Sequence, residues 1–131
     1  MTDLVVAKFG GTSVADFDAM NRSVDVARLD ENTRVVVLSA SAGVTNLLVA
    51  LAEGLEPAER FEKLESLRQI QFNILERLRY PNVIRDEIER LLENITTLAE
   101  AASLASSTAL TDELVSHGEL MSTLLFVEIL R

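Results

Sequence analysis

Cysteine and tryptophan are missing from this 131-residue chain, proline occurs twice, and histidine and tyrosine occur once each. The missing cysteine excludes disulfides, thiolate chemistry and cysteine-ligated metals, and it fits a reducing compartment, with the cytoplasm as the default. The single histidine, His117, has no cysteine or second histidine with which to share a metal, so no metal site is expected and no chemistry is assigned to it. Bases are also scarce: 12 lysines and arginines face 21 acids, for a net charge of −9, and no basic run offsets the deficit. Nucleic acid and membrane surfaces are therefore not expected as partners, because binding them depends on clustered positive charge. No apolar run approaches the ~20 residues that span a bilayer. The opening MTDLVVAKFGG lacks a basic start and a cleavage pattern, so export is not expected either.

What the chain does have is 48% hydrophobic residues and few helix breakers, enough to bury a core as one compact domain. Leu4 to Phe9 and Arg34 to Ala40 are short, β-branched and nearly continuous in apolar character, as expected of central parallel strands covered on both faces. Between them Phe17, Met20, Val24 and Ala27 recur at helical spacing, giving an α/β opening with a right-handed βαβ crossover. Glycine-containing turns, GGTS and SASAGVTN, follow the two strands, so both loops belong at the carboxyl edge of the sheet, where open α/β folds place ligands.

The rest is mostly helical. Phe61, Leu64, Leu67, Ile70, Ile74, Leu75 and Leu78 form one apolar stripe between Ala58 and Leu78, and Ile84, Ile88, Leu91, Leu92, Ile95 and Leu98 form a second. Pro81 separates them and pushes Tyr80 out of helical conformation, so they read as an antiparallel hairpin. The small polar residues of SSTALTDE offer caps for a last helix, from roughly Asp112 onward. Met20 and Met121 lie on apolar stripes as core filler. Two strands are few against the five or six of a typical sheet, and the last helix carries an apolar stripe that needs a partner. The expectation is the front portion of a larger α/β domain, although closure of a small domain on its own helices stays open.

A strand ending in Lys-x-Gly-Gly, followed by hydroxyl residues, suits an anion. Gly10 and Gly11 let backbone N–H groups approach phosphate oxygens closely, and Lys8 adds a mobile positive charge. The plainer alternative is a tight strand-to-helix turn with Asp16 or Ser13 as N-cap. Neither G-x-x-x-x-G-K-[ST] nor G-x-G-x-x-G is present, and here the lysine precedes the glycines.

VVAKFGGTSVAD, followed in order by VVLSASAGVTNLL and DELVSHGELMS, resembles the aspartokinases of the amino acid kinase family over essentially the whole chain. The long helical insert most resembles the monofunctional, lysine-inhibited class. The resemblance implies a carbamate kinase-like fold, with residues 1–131 as the N-terminal part of a truncated catalytic domain and the remainder, with ACT-type regulatory domains, beyond Arg131. It implies ATP with Mg²⁺, and transfer of the γ-phosphoryl group to the side-chain carboxylate of L-aspartate. That is the first step towards lysine, threonine and methionine. A carboxylate with a pKa of about 3.9 is already ionised at neutral pH, so such a reaction needs positioning and charge neutralisation rather than a base.

Carried over by resemblance, Lys8 contacts the transferring phosphates, Gly10 and Gly11 form the close-approach turn, and Thr12 and Ser13 are neighbours at the phosphates. Ser39 and Thr45 resemble the residues that hold the amino acid substrate, on a loop that Ala40 and Gly43 keep small. Glu119 resembles the glutamate facing the substrate's α-amino group, whereas by pattern alone Ser116 to Glu119 fits an S-x-x-E capping box with a solvated glutamate. The expectation is that Lys8 and the glycine turn converge on one anion pocket with Ser39 and Thr45. A homo-oligomer is expected of the full-length protein. Three alternatives stay open: a kinase of the same fold acting on another acyl or carbamoyl substrate, the kinase part of an aspartokinase fused to homoserine dehydrogenase, or a noncatalytic α/β module that associates through its hairpin, residues 58–104.

Overall fold

The computed structural model describes residues 5–105 and 107–130. Strand β1 (Val5–Phe9) leads through a 3-10 turn at Gly11–Val14 into helix α1 (Phe17–Leu29), and strand β2 (Thr33–Leu38) returns parallel to β1. Helices α2 (Val44–Ala52), α3 (Pro57–Leu75), α4 (Asn82–Leu104) and α5 (Thr108–Leu130) complete the chain. The expected βαβ opening and helical remainder are therefore present. Leu4, in the expected first strand, lies outside the described residues, and Ser39 and Ala40 belong to the loop after β2.

Local chemistry explains the boundaries. Asp16 caps α1 by accepting from the Ala19 amide at 2.8 Å. Pro57 opens α3, where its missing N–H costs nothing. Ser107 accepts from the Leu110 amide at 3.2 Å, so α5 begins at Thr108, before the expected Asp112. The S-x-x-E pattern at Ser116 to Glu119 is not a cap: it sits in the middle of α5, and the Ser116 hydroxyl donates back to the Glu113 carbonyl at 2.8 Å. Helix α2 was not legible as a helix at all. It is nine residues long and apolar on nearly every side, with Val44, Leu48, Leu51 and Ala52 buried.

Strands β1 and β2 pair in register from Val6↔Val35 to Phe9↔Leu38. Phe9, Val36 and Leu38 pack on the core, and the Phe9 ring lies 6.1 Å from that of Phe126 in α5. Alternation sends Val6, Lys8, Val35 and Val37 to the opposite face, where all four are exposed. The sheet is thus covered on one face within the described residues, not on both as the continuous apolar runs suggested.

The hairpin stripes are spent on the chain's own core: Leu67, Ile74, Leu75, Leu78, Ile84, Ile88, Leu91, Leu92 and Ile95 join one cluster with residues of α1, α2 and α5. Phe61, assigned to the α3 stripe, is instead exposed. Outside the core, Arg68 pairs with Glu89 through two hydrogen bonds, at 2.7 and 3.1 Å, and Arg85 lies over the Phe72 ring, which fixes the antiparallel register of α3 and α4.

Candidate active site

The two loops leaving the carboxyl ends of β1 and β2 are stitched together by backbone hydrogen bonds. The Ser39 amide donates to the Phe9 carbonyl, and the Ala42 amide to the Gly11 carbonyl, each at 3.1 Å. A Cβ on Gly11 would stand 3.2 Å from the Ala40 carbonyl oxygen and 3.6 Å from the Ala42 Cα, so this glycine is what lets the loops meet. Gly10 differs: its φ is −79° and open space surrounds its missing side chain, so packing does not demand a glycine there.

Between the loops lies a recess of about 380 Å³ lined by Gly11 and Thr12 and by the 39–46 segment, including Ser39, Ser41, Thr45 and Asn46. Helix α2 starts from this segment. Gly43, at a φ of +86°, precedes it without a capping side chain; the Val44 amide donates to the Ser41 carbonyl at 2.9 Å, which leaves the Thr45 and Asn46 amides for an acceptor. The Ser41 hydroxyl, also in the lining, is buried and makes no hydrogen bond within the protein. Hydroxyls and amides around a helix N-terminus fit an anion. They do not fit a bare cation: among the described residues no group of three or more His, Asp or Glu side chains comes together.

Helix α5 supports the second loop from behind. A Cβ on Gly118 would meet Leu48 Cδ1 at 2.7 Å, Val44 Cγ1 at 3.0 Å and the Ala40 Cβ at 3.2 Å, so α5 and α2 cross at the glycine. One turn on, the Ser122 hydroxyl donates to the Ser39 carbonyl at 2.7 Å. Glu119 lies between these two positions along α5, is exposed, and does not line the recess. Gly118 and Ser122 were not singled out in the sequence, although small residues four apart on a helix are the mark of a close crossing.

The expected constellation is assembled in part. Gly11, Thr12, Ser39 and Thr45 share the recess. Ser13 turns to a neighbouring groove with Thr12 and Arg22, and its carbonyl accepts from Ser23 Oγ at 2.7 Å. Lys8 is exposed on the bare sheet face, in the last turn of pleat before Gly10, and does not line the recess. His117 has its Nδ1 2.7 Å from the Glu113 carbonyl, a bond along its own helix.

A parallel βαβ unit whose two carboxyl-end loops meet beside a helix start has the layout in which open α/β folds place their ligands. The chain belongs to the amino acid kinase family, whose model matches residues 3–131. It is 82% identical, over its full length, to lysine-sensitive aspartokinase 3 of Escherichia coli, of which it spans 29%. It is similar to two crystal structures of E. coli aspartokinase III. Against the complex with lysine and aspartate (T-state) the TM-score is 0.96 at 83% identity, and against the complex with aspartate and ADP (R-state) it is 0.97 at 82% identity. Each match covers 98% of this chain and 29% of the other.

Proposed function

We propose that the chain is the phosphate- and aspartate-holding part of an aspartate kinase that uses ATP with Mg²⁺. The observation that carries this is the meeting of the Gly11 turn with the Ser39–Thr45 loop over the start of α2. In the reaction an oxygen of the aspartate side-chain carboxylate attacks the γ-phosphorus of ATP. The bond from that phosphorus to the β,γ-bridging oxygen breaks, ADP leaves with the electron pair, and 4-phospho-L-aspartate forms. No proton has to move, because the nucleophile is already ionised.

The difficulty is bringing two anions together, and the chain's residues divide that task. Ser39 and Thr45 hold the amino acid at the recess, and the open amides of α2 face its negative charge. Glu119 receives the α-ammonium group from the α5 side. The Gly10–Gly11 turn, with Thr12 and Ser13, brings backbone to the phosphates, and Lys8 swings over the end of β1 to offset charge as the phosphoryl group transfers. Mg²⁺ would be held chiefly by the nucleotide's phosphates and would supply charge neutralisation. The rest of the catalytic domain and the regulatory domains would come from the part of the protein corresponding to the unmatched length of the relatives, and the whole would be a cytoplasmic homo-oligomer. No helix among the described residues is long and apolar enough to cross a membrane.

The test is ATP-dependent formation of aspartyl hydroxamate by the full-length protein carrying these residues. Lys8→Ala should lower kcat by about 100-fold or more with the fold retained, as expected when a charge-assisted contact to a transferring phosphate is lost. Glu119→Ala should raise KM for aspartate. Unchanged turnover in the first variant, together with unchanged KM in the second, would refute the assignment. A noncatalytic module associating through residues 58–104 is disfavoured by the burial of both hairpin stripes in the chain's own core.

A further inference from the structure

Ser39 is fixed from two sides. Its amide donates to the Phe9 carbonyl at 3.1 Å, at the end of β1, and its carbonyl accepts from the Ser122 hydroxyl of α5 at 2.7 Å. With both backbone polar groups held, the peptide planes flanking the Ser39 Cα are fixed, and so is the direction in which its Cβ leaves the backbone. Ser122 is fully buried, so bulk water does not compete for its one hydroxyl hydrogen. A second acceptor does compete: the Glu119 carbonyl, one turn back on α5, lies 3.0 Å from the same Oγ. That carbonyl already receives the Thr123 hydroxyl at 2.8 Å, and the Ser39 carbonyl is the nearer of the two, so the Ser122 hydrogen goes to the loop.

We propose that Ser122 is a positioning residue for the amino acid substrate, holding the loop of Ser39 and the helix that carries Glu119 in one register. The inference rests on the proposed aspartate kinase function, in which Ser39 and Glu119 both hold aspartate. Ser122 touches neither substrate and acts through the Ser39 carbonyl. The contact at Gly118 sets how closely α5 approaches α2, but van der Waals packing is weakly directional, whereas a short hydrogen bond fixes position along the helix. Without the hydroxyl, the Ser39 carbonyl loses this donor and turns towards another, taking the Ser39 side chain with it. The glycine turn does not depend on the same bond, because the Gly11 carbonyl is held separately by the Ala42 amide. The effect therefore falls on aspartate rather than on ATP.

The experiment compares Ser122→Ala with the parent in the full-length protein, by aspartyl hydroxamate formation with aspartate and ATP varied in turn. Alanine removes one oxygen and favours the helix, so the variant folds. The expected result is a loss in kcat/KM for aspartate of about threefold to tenfold, carried mainly by KM, with KM for ATP unchanged. Hydrogen exchange at the Ser39 amide should be faster than in the parent. Ser116→Ala is the matched control: its hydroxyl also donates to a carbonyl of α5, that of Glu113, but reaches no loop, and its kinetics should equal the parent's. Unchanged kcat/KM for aspartate, an equal rise in KM for both substrates, or the same loss in Ser116→Ala would each overturn the proposal. Faster exchange at Ser39 with parental kinetics would overturn it too, leaving Ser122 a purely structural contact. A parent that forms no aspartyl hydroxamate is a different outcome, which overturns the proposed function and this inference with it.

Discussion

Gly118→Ala sets two effects of opposite sign against each other. In the interior of a helix, alanine is favoured over glycine by about 1 kcal/mol, so propensity alone makes the substitution stabilising. The added methyl, however, would stand 2.7 Å from Leu48 Cδ1, 3.0 Å from Val44 Cγ1 and 3.2 Å from the Ala40 Cβ. Leu48 is fully buried and has no free space to rotate into, Val44 is β-branched and stiff within α2, and Ala40 has no torsion to adjust. Helix α5 must back away, and overpacking of this kind costs about 1–3 kcal/mol. The net expectation is destabilisation of about 1 kcal/mol. With an unfolding entropy of about 2.1 cal/mol/K per residue, that is a Tm lowered by about 4 °C, whereas propensity alone would raise Tm by a similar amount. Calorimetry reads the sign directly. Hydrogen exchange adds the link to the site: the Ala42 amide, which donates to the Gly11 carbonyl, should exchange faster as α5 withdraws from the loop. A Tm increase of about 4 °C with unchanged exchange would refute the claim that Gly118 sets the α2–α5 spacing.

Two further substitutions probe the frame. Gln71 is fully buried in α3 with both its amide oxygen and nitrogen unpaired within the protein, so Gln71→Met, which keeps length and removes both groups, should raise Tm by about 4–10 °C on a recovery of about 1–3 kcal/mol; a lower Tm would mean that the amide is satisfied by bound water. Gly54 has a φ of +83°, and a Cβ there would lie 2.6 Å from the Ala102 carbonyl oxygen, so Gly54→Ala should cost about 2–4 kcal/mol in urea unfolding, and a loss under about 0.5 kcal/mol would contradict that geometry.

What the sequence disclosed follows from periodicity. The strands stand out as short β-branched runs, α1 and the hairpin repeat apolar positions at helical spacing, and Asp16 caps α1 as one of the expected residues. Helix α2 gave no such alternation, because it is only nine residues long and its outward positions include the exposed Val49 and the half-buried Leu47 and Ala50, which are as apolar as its buried side. The glycine and hydroxyl residues of the two loops were expected at the carboxyl edge of the sheet, where they lie, but the division of labour between the glycines was not legible. Gly11 is needed for contact with Ala40 and Ala42 and Gly10 is not, a distinction set by a loop 30 residues away in the chain. Lys8 was expected at the pocket, while the pleat assigns it to the face opposite Phe9; counting by twos from Phe9 would have shown this. The S-x-x-E match failed because a capping box means nothing without a helix start, and α5 is already two turns old at Ser116.

The tie from Ser122 to the Ser39 carbonyl spans 83 positions. During synthesis at about 5–20 residues per second, the loop carrying Ser39 and Thr45 therefore waits about 4–17 s for the helix that clamps it. Strand pairing and the first crossover can be in place within that interval, but the loop carrying Ser39 and Thr45 gains this clamp only when α5 arrives, so the recess matures later than the sheet beneath it.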